Sequence, residues 1–232
     1  PEGSAAPLTL TSWADEMLGD AQLLSSVEAS YGGHEEAWGF DVLAFDRVCT
    51  QRVGPQQPHC PAALLTYHLL HRHGVFAAFP ALERATMLRW LQAVEASYLP
   101  SNGYHTSLHA ASVVSSLSFF LSQPNLAALL APLDLLAALV AALVHDAAHP
   151  GVNNSFLEAS RAEIALTYND QAVLENHHAA TAFLLTRRYP YTTPITHLLR
   201  GRGSANPNPP PTPTPTPNPA PRRRLAACGR AT

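Results

Sequence analysis

The sequence predicts an all-α fold. Apolar residues recur at three- and four-residue spacing in several segments, no segment alternates convincingly as a strand would, and Gly and Pro fall where those segments stop. With 232 residues, 47% of them hydrophobic, the chain can bury one sizeable core, or form one domain plus a tail.

Residues 1–37 read as a weakly ordered lead-in, with a short helix over 13–24. "WGFDVLAFDRV" (38–48) reads as a short helix or a docking segment, and "GPQQPH" (54–59) as a loop. "AALLTYHLLHRHG" (62–74) has helical spacing and stops at Gly74, a usual helix terminator. Residues 81–99 are amphipathic, with Leu82, Met87, Leu88, Leu91 and Val94 on the apolar side. "SNG" then makes a turn, and helices follow over 106–121, 133–146, 161–168 and 170–186. The stretch 126–144 is almost wholly apolar, but Pro132 and Asp134 interrupt it. Its unbroken run, Leu135 to Val144, is too short to span a bilayer. A buried helix at the centre of the domain, and no membrane span, is the expectation.

The formal net charge is −3, unevenly spread. Every Asp and Glu lies at or before Glu175, whereas eight of the fourteen basic residues lie after it. An acidic folded region argues against a nucleic-acid partner. All fourteen basic residues are Arg, which, with the abundant Ala and Pro, reads as coding bias. Cys49, Cys60 and Cys228 form no CxxC and no paired framework, so a reducing compartment fits. No basic-then-apolar leader precedes the helices, and a cytoplasmic location is expected. The chain opens on Pro1 and reads as a fragment or a processed product. Residues 188–232 form a Pro/Thr/Arg-rich tail. "NPNPPPTPTPTPNPAP" (206–221) cannot pack a core and is expected to be a disordered spacer, with PxxP-like content that offers a partner site. The sharp change of composition there also fits a mis-joined reading frame.

Twelve histidines are present. His34, His59, His68, His71, His73 and His197 read as structural or exposed, the usual lot of a lone histidine; His68 and His71 have helical spacing but no Asp or Glu close by in sequence. His105 and His109 are four apart, and so are His145 and His149, with Asp146 beside His145. Four residues is one helical turn, so each pair is expected on one side of a helix. Imidazole suits a zinc-like ion, while carboxylate and water suit magnesium or manganese. A bridging carboxylate would let two divalent ions share a site and activate a water near neutral pH. Chance structural histidines are the alternative.

The surrounding sequence sharpens that reading. "YHTSLHAASVV", "AALVHDAAHPGVNNSFL" and "EIALTYNDQAVLENHHAATAF" occur in this order and resemble the first part of the class I cyclic nucleotide phosphodiesterase catalytic domain. That family's pattern is YHN-x2-HA-x-DV, then HD-x-DHPG-x-x-N, then YND-x-x-VLE-x-HH. "WGFDVLAFDRV" and "LRWLQAVEASYLPSNGYH" match its lead-in, and the cAMP-preferring branches look most similar. The resemblance covers residues 38–187 and implies a multi-helix HD-type catalytic domain. It implies His105 as the general acid that protonates the leaving 3′ oxygen. It implies His109, His145 and Asp146 as ligands of a tight Zn²⁺, with Asp146 bridging to a second ion, Mg²⁺ or Mn²⁺. His149 and Glu175 match groups that hold waters of the second ion, and His105, His109 and Asp146 match positions that meet the substrate. Asn176, His177 and His178 read mainly as packing and hydrogen-bonding residues.

The implied reaction is hydrolysis of a 3′,5′-cyclic nucleotide, cAMP ahead of cGMP, to the 5′-monophosphate by a metal-bridging hydroxide, in signal transduction. A homodimer or additional regulatory domains in the full-length protein go with it. Three positions depart from the pattern: Thr106 replaces Asn, and Ser112 and Ala148 each replace Asp. No acidic residue follows Glu175, so the family's downstream ligand Asp has no counterpart, and neither has its Gln-containing base pocket. The chain is therefore expected to be truncated and poorly active alone, with apolar surface on 81–144 left uncovered. Two other readings stand beside this one: a catalytically inactive domain acting as a metal-binding or interaction module, and an HD-type phosphohydrolase of non-cyclic nucleotides. The "YND…VLENHH" run argues against the last.

Overall fold

A computed structural model describes residues 39–53 and 60–188. The expected lead-in helix (13–24), the 54–59 loop, the Pro-rich segment and Cys228 lie outside the described residues. Ten helices and no strand make up the described part: α1 (Val42–Val53), α2 (Pro61–Arg72), α3 (Val75–Ala78), α4 (Arg84–Glu95), α5 (Ser107–Leu121), α6 (Pro124–Ala127), α7 (Pro132–Val144), α8 (Asn154–Ala159), α9 (Glu163–Thr167) and α10 (Val173–Arg188). The all-α expectation holds. None of these helices is long and apolar enough to cross a membrane.

The central helix is α2. Pro61 through Leu70 are all buried, and α2 packs on α4, α5 and α7. Thr66 Oγ1 donates to the Ala62 carbonyl, and His73, just past the helix, pairs with Ser118 Oγ of α5 at 3.0 Å. His68 is buried within α2. No side chain of Cys60 caps α2, and Glu95 takes that role from α4. Its Oε2 accepts the Ala63 N–H at 2.8 Å, 32 residues away in sequence.

The sequence placed the apolar 126–144 stretch at the centre, and this needs correcting. Helix α7 begins only at Pro132, whose missing N–H costs nothing in a first turn. Asp134 accepts the Ala131 N–H at 2.9 Å and closes that end. The two residues that seemed to interrupt the run are its start signal. Leu136, Leu139, Val140, Ala142 and Leu143 are buried, but Ala137, Ala141 and Val144 line an open groove with Trp90 and Phe183. Leu129, before the helix, is 80% exposed.

Helix α10 closes the described chain against α4. Trp90 Nε1 donates to Thr186 Oγ1 at 3.1 Å inside that contact, and Thr186 donates in turn to the Ala182 carbonyl. The short helices α8 and α9 pack with the start of α10 around Leu157, Ala165, Val173 and Leu174. Cys49 and Cys60 are both free and buried, and burial pushes both thiols up, Cys49 to about 12. Neither is a nucleophile at neutral pH.

Candidate metal centre

Three stretches bring the predicted residues together: the entry to α5, the turn after α7, and the first turns of α10. The helical geometry expected for the histidine pairs is not what unites them. Helix α5 starts at Ser107 with Thr106 at its N-cap, so His105 precedes the helix and only His109 lies on it. Likewise α7 ends at Val144, His145 is its C-cap, and the chain turns over residues 145–148. Ala148 takes a left-handed φ of 57° and Pro150–Gly151 follow, so the chain cannot continue as a helix to His149. Each pair converges through a helix end plus a turn.

His109 Nε2, His145 Nε2 and Asp146 Oδ2 form a small triangle. The separations are 3.3 Å between the two imidazoles, 3.5 Å from His109 to Asp146, and 3.1 Å from His145 to Asp146. The other nitrogen of His145, Nδ1, donates to the Ala142 carbonyl at 2.9 Å. In the neutral ring that puts a lone pair on Nε2, aimed at the triangle's centre. Burial and the neighbouring His145 hold the His109 pKa below the ordinary imidazole value. Two imidazole nitrogens and a carboxylate oxygen converge there. A zinc-like ion holds such donors at about 2.0–2.1 Å, which places tetrahedral or octahedral neighbours roughly 3.0–3.4 Å apart. The triangle fits that donor set.

The other side of Asp146 faces a second group. Asp146 Oδ1 lies 3.8 Å from His178 Nε2, whose Nδ1 donates to the Ala147 carbonyl at 2.7 Å. Burial lowers the His178 pKa. His149 is buried between two rings: it stacks on His105 with centroids 3.7 Å apart and planes at 5°, and on His178 at 5.4 Å and 18°. Its Nδ1 accepts the Gly151 N–H at 2.9 Å, so its proton sits on Nε2. His149 is therefore built to donate, which suits holding a water better than holding a metal. Burial, and then the charge of His105, lowers its pKa. The same three-atom spacing that would let His105, Asp146 and His149 hold an ion is met, but His149 has no lone pair free for it while Gly151 donates.

Glu175 stands at the rim. It is exposed, and its Oε2 accepts from Asn154 Nδ2 at 3.1 Å. That bond and its own backbone N–H hold the carboxyl below its usual range. Asn154 also accepts the Leu174 N–H at 2.9 Å, tying α8 to α10. His178 is the member that sequence reading undervalued. It bonds a backbone carbonyl as expected, but its ring also faces Asp146. The available signal was its place three residues after Glu175, one turn along the same face of α10. His177 pairs with the Ala148 carbonyl at 3.2 Å, and Asn176 with that of Gln171. Of the departures, Ser112 is exposed and Thr106 makes no side-chain cap bond.

An all-α domain that presents a histidine–carboxylate cluster able to hold a divalent ion is the class that fold and cluster define. The family model for 3′,5′-cyclic nucleotide phosphodiesterase matches residues 104–199. The human "high affinity cAMP-specific and IBMX-insensitive 3′,5′-cyclic phosphodiesterase 8A" is 41% identical over 153 residues, which are 66% of this chain and 17% of that protein. The rat "3′,5′-cyclic-AMP phosphodiesterase 4C" is 38% identical over 148 residues, 64% of this chain and 26% of that protein. The phosphodiesterase domain of the RhoPDE fusion protein from the choanoflagellate Salpingoeca rosetta superposes with a TM-score of 0.56 at 30% identity, covering 69% of this chain and 46% of that one. The chain thus carries part of a class I 3′,5′-cyclic nucleotide phosphodiesterase catalytic domain and belongs to that family. It spans about a fifth of the length of these curated relatives and under half of the solved domain.

Proposed function

We propose that residues 38–187 are the metal-holding part of an enzyme that hydrolyses 3′,5′-cyclic nucleotides, cAMP ahead of cGMP, to 5′-monophosphates. The single observation that carries this is the triangle of His109, His145 and Asp146 inside the family's own sequence motifs. The names of the relatives, all cAMP phosphodiesterases, support the substrate preference.

His109, His145 and Asp146 Oδ2 would hold a tight Zn²⁺. Asp146 Oδ1, turned the other way, would reach a second ion, Mg²⁺ or Mn²⁺. Ions bound there supply positive charge to the phosphoryl oxygens and acidify water. The chain's own residues do the rest. His105 stands beside the cluster, half-buried, and is the proton donor to the leaving 3′ oxygen, a task suited to imidazole at neutral pH. The Nε2–H of His149 orients a water toward Asp146, and Glu175 completes the water-holding rim from α10. A cytoplasmic setting, a homodimer and regulatory domains elsewhere in the full-length protein belong to this proposal.

A second reading is a catalytically inactive metal-binding or interaction module. It is favoured by one observation: among the described residues only three donors converge on the tight site, beside an apolar groove left open between α7 and α10. The two readings part on turnover. Incubated with zinc and magnesium and offered cAMP, cGMP and non-cyclic nucleotide phosphates, the full-length protein is expected to release 5′-AMP, and His105→Ala to abolish release. Turnover surviving that change removes His105 as the acid. Zinc binding without any turnover selects the module, and turnover of non-cyclic substrates alone selects a different phosphohydrolase.

A further inference from the structure

We infer that Asn102 is a positioning residue that sets the His105–His149 stack. Its catalytic consequence rests on the function proposed above; its structural content does not.

Asn102 lies in the turn between α4 and α5, half-buried, 47 residues from the loop it touches. Its Oδ1 accepts from two backbone N–H groups, those of Tyr104 and His105, both at 3.4 Å. Its Nδ2 donates to the His149 carbonyl at 3.2 Å. One amide side chain therefore holds the backbone of both residues whose rings stack 3.7 Å apart. The turn after His149 also passes near this side chain. Gly151 has a φ of 84°, and a Cβ added there would lie at ordinary van der Waals distance from Asn102, 3.6 Å from Nδ2 and 3.7 Å from Cγ.

The chemistry needs an amide. Its oxygen serves the side of the turn that offers N–H groups, and its nitrogen serves the side that offers a carbonyl. Asp keeps the acceptor but turns a second acceptor toward the His149 carbonyl, and Ala keeps neither. Because the rings ride on the clamped backbone, the distance between the proposed proton donor and its water-holding neighbour is fixed by a residue that touches neither substrate nor metal.

The test uses the full chain with ¹³C-labelled histidine. Cross-relaxation between the ring protons of His105 and His149 is read in wild type, Asn102→Ala and Asn102→Asp, with zinc titration and circular dichroism on each. The expected result is a clear cross-peak in wild type and its loss in both variants, with helical content and zinc affinity within about twofold of wild type, since the clamp does not touch His109, His145 or Asp146. A cross-peak of full strength in both variants overturns the clamp. Persistence in Asn102→Asp with loss in Asn102→Ala overturns the donor half of it. Zinc affinity falling in parallel with the cross-peak overturns the selective role and leaves general destabilisation. If wild type also hydrolyses cAMP, both variants should lose on the order of tenfold to a hundredfold in kcat with KM nearly unchanged. If the full-length protein shows no turnover, the proposed function fails while the cross-peak result stands.

Discussion

His109 and His145 face each other through their Nε2 atoms at 3.3 Å, while the Nδ1–H of His145 is committed to the Ala142 carbonyl. With a lone pair on His145 Nε2, that distance is met either by a proton carried on His109 Nε2 or by a cation held between the two nitrogens. Burial, and then the neighbouring His145, disfavours a second, charging proton on His109. The expectation is graded. His178→Ala, which removes the ring that backs Asp146, weakens zinc binding by about 10–100-fold. His145→Ala, which removes a direct donor, weakens it more. Equal losses from the two changes would mean that His178 is itself a ligand.

Glu95 gives a prediction about pH. It is fully buried, and desolvation raises its pKa from 4.5 to about 7, against the hydrogen bonds from Ala63, Ala62 and Ser107 that lower it. The folded pKa is the higher one. Its stabilising contribution is therefore complete below about pH 4.5 and is lost as pH rises through about 7. Glu95→Gln keeps an acceptor for the Ala63 N–H without the charge. Relative to wild type, this variant should match it below about pH 4.5 and gain stability as pH rises to 7 and above, by roughly 3 kcal/mol at most. Urea unfolding at several pH values reads this directly. A difference that is constant with pH contradicts it.

Thr186 carries a local prediction. It accepts the indole N–H of buried Trp90, and its loss leaves that donor dry. Thr186→Val, nearly the same shape, should cost about 1–3 kcal/mol. Hydrogen exchange should show the loss concentrated in α10. A cost below about 0.5 kcal/mol would mean that the indole finds another partner.

Ala148 is strained where the family pattern has Asp. A Cβ at φ 57° costs about 1–2 kcal/mol, and Asn or Asp tolerates that conformation better than Ala. Ala148→Asn should raise stability by about 0.5–1 kcal/mol and leave the His177 bond to the residue 148 carbonyl in place. A loss of stability would show that the left-handed turn does not limit this loop.

Much of this was legible in the sequence. The helical repeats gave α2, α4, α5, α7 and α10, because amphipathic spacing records what is buried. The helices read over 161–168 and 170–186 part at Asn169, and the structure widens that break: Asn169, Asp170 and Ala172 all take positive φ, which Asn and Asp accept readily, so α10 begins only at Val173. Helices α3, α6 and α8 were missed. They are four to six residues long, too short to show a period. Helix α8 did carry a signal, the Asn153 side chain capping the Phe156 N–H at 2.9 Å. At the site, residue identities were readable and their arrangement was not. Four-residue spacing suggested helix faces, whereas His105 and His149 sit outside helices, because a helix boundary depends on caps and left-handed turns that periodicity does not encode. The central position of α2 was equally hidden: burial follows from what packs around a helix, and α7 has the more apolar sequence.

The measurement that bears most directly on the central claim is calorimetric titration of the full chain with zinc, in parallel with His145→Ala. The account predicts one tight site per chain in the wild type and loss of that site in the variant. Equal zinc binding by both proteins would contradict it, because the converging nitrogens of His109 and His145 would then not be where the metal is held.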